Sequence, residues 1–121
     1  MLHMKHILFL VMFTGSLISA TSLFANKSSV EITAPDSAVK GSEITIKIQV
    51  SHNGNSRFHH TEWAYIKVNG QEVARWKYPF ESEVFTCEIK YKVIGPVEIQ
   101  SEASCNLHGS AGIKTAKVNV K

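Results

Sequence analysis

The segment Cys105-Asn106-Leu107-His108-Gly109 sets a thiol and an imidazole in one short turn, with two residues between them and a glycine behind. Cysteine thiolate and histidine imidazole are the sulfur and nitrogen ligands of iron, zinc and copper. Gly109 would let the backbone bend sharply behind such a clamp. A Cys-x-x-His spacing alone occurs by chance in many chains. Here it is joined by His52 and by the adjacent pair His59 and His60, and the only other histidines, His3 and His6, lie in the first few residues. His59 and His60 point to opposite sides if the chain is extended there, so one of the two is expected at the metal. The candidate ligands are therefore His52, one of His59 and His60, Cys105 and His108.

Plainer readings stand beside this one. Cys87 is most simply a buried core cysteine. Trp63 and Trp76 read more readily as packing residues than as a cofactor platform. A disulfide between Cys87 and Cys105 is a further alternative. If Gly95-Pro96 closes a hairpin with a three-residue turn, the two cysteines face each other across it.

These residues need elements to position them, and the chain supplies strands. In Glu43–Val50, Ile44, Ile46, Ile48 and Val50 alternate with polar residues. That period of two marks a half-buried strand. Ala64, Ile66 and Val68 alternate in the next strand, which enters a tight turn at Asn69-Gly70. Phe85, Cys87, Ile89, Tyr91 and Val93 form a third inward face. Val97, Ile99, Ala103 and Cys105 form a fourth, and Ala116, Val118 and Val120 close the chain. No helical period, repeat or linker interrupts the pattern. Six or seven short strands separated by turns predict an immunoglobulin-like antiparallel β-sandwich. The histidines and Cys105 fall at strand ends or in the irregular stretch Ser51–His60. Loops at the end of a rigid sandwich are where function usually sits.

The first residues read differently. Lys5, the apolar run Ile7–Phe13 and the small residues that follow have the layout of a secretory signal peptide. The expected cut follows Ala25, with Ala20 as the second option. The apolar run is short of the roughly 20 residues a spanning helix needs, so an uncleaved anchor is the lesser alternative. One domain, Asn26–Lys121, is expected to remain, exported and periplasmic, with no membrane association after cleavage. Losing Lys5 lowers the net charge from +3 to +2. That excess is too mild and scattered for nucleic acid. A domain this small builds a modest core, which a disulfide or a metal would help to hold.

Two stretches carry a resemblance. "APDSAVKGSEITIKIQVSHNGNSRFHHTEWAYIKVNGQEV", followed by "EASCNLHG", resembles the iron domain of superoxide reductases, the neelaredoxin and desulfoferrodoxin family. "HHTEW" and "CNLHG" are its specific parts. The resemblance implies a seven-stranded immunoglobulin-like fold and one mononuclear iron, cycling between Fe2+ and Fe3+. It implies four equatorial histidines, an axial cysteine thiolate and an open position for superoxide. Carried over by motif, the thiolate falls on Cys105 and histidines fall on His108, His59 and His52. Lys27 matches the family lysine that draws in the superoxide anion, a catalytic role. The chain departs from the pattern in four places, the first being that no proline follows His52. His52 and His59 are one residue farther apart than in the family, Asn26 replaces a glutamate, and Ser28 stands where the fourth histidine would be.

The resemblance implies reduction of superoxide to hydrogen peroxide, with superoxide as the small-molecule substrate. The sequence holds no Cys-x-x-Cys pair, so electrons are expected from a separate redox protein. Two other functions remain open at this point. One is a non-enzymatic metal-binding or sensing module that kept the site without turnover. The other is a metal-free sandwich subunit, more faintly resembling the sulfur-carrier proteins of thiosulfate oxidation.

Overall fold

The computed structural model describes residues 27–121. The signal peptide expected at 1–25 lies outside them. Eight strands follow in order: β1 (Ser29–Thr33), β2 (Ser37–Ala38), β3 (Glu43–Ser51), β4 (Thr61–Val68), β5 (Gln71–Lys77), β6 (Val84–Lys92), β7 (Val97–Cys105) and β8 (Lys114–Val120). They form two sheets, β1-β3-β6 and β2-β8-β7-β4-β5. The alternation read from the sequence is the alternation of the core. Ile46, Ile48 and Val50 from one sheet meet Ala64, Ile66, Ile99, Ala103 and Val118 from the other, all excluded from solvent. The architecture is the all-β sandwich that the period-two pattern predicts.

The tight turn at Asn69-Gly70 is present, with both residues at positive φ and Val68 paired to Gln71. This is the backbone that a two-residue hairpin requires, and asparagine and glycine tolerate it. Two strands, β1 and β2, are not among those read from the sequence, and the second, β2, leaves no trace there. It is two residues long and pairs in parallel with β8, too short to leave a periodic signal. Trp76 packs against the core. Trp63 lies on the outer face of the larger sheet, stacked on Tyr65 with ring centroids 5.8 Å apart.

One sequence expectation is corrected. Gly95-Pro96 does not close a hairpin. β6 pairs with β3, whereas β7 pairs with β4 and β8, so the chain crosses from one sheet to the other at this turn. Cys87 and Cys105 therefore sit in different sheets, and both are free thiols. The error came from reading two consecutive alternating strands as neighbours, where a sandwich can equally place them in facing layers.

Ile66 lies in β4, between β5 and β7, and is fully buried. Ile66→Ala should lower the free energy of unfolding by about 2–5 kcal/mol, as buried large-to-small substitutions do. A shift in the urea midpoint at unchanged slope is the expected readout.

Candidate metal centre

The site forms where β3, β4 and β7 reach the same end of the sandwich. His52 directly follows β3 and continues the inward side of Val50, so its ring is buried. Its Nδ1 lies 2.5 Å from the Gly54 carbonyl oxygen. A carbonyl only accepts, so Nδ1 carries the hydrogen and the lone pair is left on Nε2. That Nε2 is buried and has no hydrogen-bond partner. A buried nitrogen without a partner costs roughly 1–3 kcal/mol unless something completes it.

Cys105 ends β7 on its inward side and is buried. The turn after it closes on itself. Cys105 N–H donates to Gly109 O at 2.9 Å, and Gly109 N–H returns to Cys105 O at 3.1 Å. Gly109 has φ +78, the left-handed conformation that glycine adopts without cost. Within the turn, Leu107 N–H donates to Cys105 Sγ at 3.4 Å. His108 stands exposed at the outer lip, its Nδ1 4.0 Å from Cys105 Sγ and 3.1 Å from His59 Nε2.

The placement of His59 depends on an irregularity in β4. Thr61 pairs with Cys105 and Trp63 with Ser104, so Glu62 is an extra residue in the ladder. A bulge of this kind switches the side to which following residues point. Ala64 and Ile66 face inward. Without the bulge Glu62 would too. Instead Glu62 is exposed and Thr61 is buried beside Cys105. His59 and His60 precede the strand in a bend, where His59 joins the group with Cys105 and His60 lies on the other side. His60 accordingly turns away. Its Nδ1 donates to Ser56 O at 2.9 Å, and its ring stacks on Tyr78 at 3.6 Å between centroids.

One donor atom each from His52, His59 and Cys105 lies within 4.8 Å of the others. Bonds of about 2.1 Å to nitrogen and about 2.3 Å to sulfur let one ion reach donors up to about 4.4 Å apart, so the three donors lie near the reach of a single ion. Adjacent ligands of the same ion stand about 3.0 Å apart, which the His59–His108 separation already matches. The orphaned Nε2 of His52, the sulfur and the two further imidazoles fit a transition metal with mixed nitrogen and sulfur ligands.

Lys27 is not among these donors. Its side chain is exposed on a surface cleft of about 270 Å3, whose wall includes His52, Asn53 and Glu83. Ser28 is fully buried beside the site. Its Oγ is 2.8 Å from Thr61 Oγ1, and its backbone bonds to Gly109 and Ala111. Sequence reasoning missed Thr61 and Asn106. Thr61 carries no signal, because its orientation depends on the bulge, whereas Asn106 lies in plain view inside the Cys-x-x-His turn.

A β-sandwich with a histidine–cysteine cluster at one end defines the class of the molecule. The Desulfoferrodoxin family profile matches residues 21–111, and the chain belongs to that family. Solved structures agree in fold. The superoxide reductase (neelaredoxin) from Ignicoccus hospitalis superposes with a TM-score of 0.68 at 15% identity, over 78% of this chain and 82% of that one. The reduced form of the neelaredoxin from Archaeoglobus fulgidus gives 0.57 at 16% identity, over 75% and 89%. A CARDB domain from Pyrococcus furiosus, solved in complex with di-metal ions, gives 0.61 at 14%, over 78% and 87%. A search of curated proteins finds no match.

The second thiol has a different character. Burial pushes the Cys87 thiol up from 9.0 to about 11. Between these values the unfolded chain has lost the proton that the folded chain keeps. Stability is therefore expected to be flat below pH 9 on this account and to fall as pH rises from 9 towards 11. Urea titrations across that range should show the decline in the native protein and a shallower one in Cys87→Ala.

Proposed function

We propose that this chain is an exported, periplasmic, mononuclear non-haem iron protein that reduces superoxide to hydrogen peroxide. The observation that carries the proposal is the buried, unpartnered Nε2 of His52, in a cluster with His59 and the Cys105 thiol. Membership of the Desulfoferrodoxin family supports iron as the ion. Bound iron would supply one electron to superoxide, which takes up two protons from solvent and leaves as hydrogen peroxide, a separate redox protein then restoring the electron.

His52, His59, His108 and Cys105 are the proposed ligands, and each is prepared for that role by its surroundings. The Gly54 carbonyl holds His52 in the tautomer whose Nε2 is a donor. A histidine ligand oriented through its second nitrogen is the usual arrangement at protein metal sites. The Leu107 amide donates to Cys105 Sγ and fixes the sulfur within its turn. Burial of Cys105 and His52 keeps water from the inner side. The exposed His108 leaves the outer lip as the approach for a small anion. Lys27 sits on the neighbouring cleft, and its ammonium would attract superoxide over a range set by the Debye length, about 8 Å in physiological salt.

Ser28 favours a second reading, a metal-binding module without turnover. The register Ser29↔Ser51 and Val30↔Val50 carried one step further sets Ser28 opposite His52. A buried hydroxyl, bonded to Thr61, thus occupies a position facing the cluster. Metal analysis, followed by peroxide yield from pulsed superoxide on the iron-loaded protein, separates the two. Peroxide formed at one per iron oxidised supports the enzyme. Bound iron that superoxide leaves unoxidised supports the module.

Two substitution experiments sharpen this. Cys105→Ala should abolish the thiolate-to-iron charge-transfer absorption, while Cys87→Ala should keep it, because Cys87 lies in the other sheet. Ser28→His should slow loss of iron to a chelator by roughly tenfold, the lower end of what partners around a metal site achieve. It should also cost about 1–3 kcal/mol in stability, because a ring must be fitted where a fully buried serine stood. Equal iron retention in both forms would show that position 28 does not reach the ion.

A further inference from the structure

Asn106 is exposed, yet its side chain makes two hydrogen bonds to a loop 46 and 48 positions away in sequence. Its Oδ1 accepts the N–H of His60 at 3.0 Å, and its Nδ2 donates to the carbonyl of Phe58 at 3.0 Å. These are the backbone groups immediately before and after His59. A third bond runs from Asn106 N–H to His60 O at 3.0 Å. Both side-chain partners are backbone groups of fixed polarity, so the orientation of the carboxamide is settled: the oxygen must face the N–H and the nitrogen the carbonyl. The usual reason for asparagine in a turn is tolerance of left-handed backbone. That does not apply here, since Asn69 is the one non-glycine residue at positive φ among those described.

We propose that Asn106 is the positioning residue of the cluster. It spans His59 on both sides and fixes it against Cys105, its own neighbour, and His108, two positions on. This rests on the reading of the cluster as a metal site. The donors come from two loops that nothing covalent joins, and the separation between His59 Nε2 and His108 Nδ1 can be held at 3.1 Å only if the loops are held together. One planar group with a donor and an acceptor on the same edge does this. Aspartate keeps the acceptor and loses the donor. Leucine has the shape and neither.

The test compares the native protein with Asn106→Asp and Asn106→Leu, each with and without metal. Competition with a chelator for Co(II) or iron should give affinities falling in the order native, Asn106→Asp, Asn106→Leu. Asn106→Leu should be weakened roughly 10–100-fold, the scale at which groups that orient ligands act. The thiolate charge-transfer band should remain but shift, since Cys105 is untouched and its neighbours have moved. In the metal-free proteins, the nuclear Overhauser contact between the His59 and His108 rings should be clear in the native form and lost in Asn106→Leu. Native affinity and an unshifted band in Asn106→Leu would overturn the proposal. If the native protein binds no metal, the metal reading fails, and the ring contact alone decides: its loss in Asn106→Leu upholds positioning, its persistence refutes it.

Discussion

A single extra residue in β4 decides the chemistry of this end of the molecule. Strand parity is a rigid rule: each residue points opposite to its neighbour, so an error of one exchanges every side chain ahead of it. Glu62 supplies such a shift between Thr61 and Trp63. Because of it, Thr61 meets Cys105 in the interior; in the bend just before the strand His59 joins the cluster, while the buried His60 stacks on Tyr78. The adjacent histidines are chemically identical, so only the backbone distinguishes them.

The other components are arranged so that backbone groups hold the donors in place, alongside the contact between the His59 and His108 rings. The Gly54 carbonyl sets the tautomer of His52. The pair of bonds between Cys105 and Gly109 sets the turn that carries His108. Asn106 joins that turn to the loop of His59. Removing an ion would therefore leave the scaffold of the site largely standing, with one buried nitrogen lacking a partner.

How much of this the sequence reveals depends on the range of the interaction. The strands and their inward faces are legible because alternation is local, and Ile44 to Val50 or Val97 to Cys105 can be read residue by residue. The Asn69-Gly70 turn is legible because its backbone demands those residue types. His52, His59, Cys105 and His108 are legible as a group through their position at strand ends and their resemblance to a family. Sheet membership is not legible, so the sequence leaves open whether Gly95-Pro96 closes a hairpin or, as it does, carries the chain to the facing sheet. Nor is the bulge at Glu62, since a strand gives no sign of one residue too many until its partner is known. The buried Ser28–Thr61 pair escapes for the same reason, because its two hydroxyls come from strands 33 positions apart.

The separation of the cysteines into two layers has a consequence for the molecule as a whole. No sulfur bridge fastens the three-stranded sheet to the five-stranded one. The donors do straddle the gap: His52 trails β3 of the smaller sheet, and Cys105 closes β7 of the larger. An ion held by both, as proposed, would act as a clasp between the layers and make occupancy and folding reciprocal. At a free ion concentration one hundred times the dissociation constant, such a clasp adds about 2.7 kcal/mol to the folded state. If the site binds metal as proposed, the metal-free protein would be the looser, more protease-sensitive form.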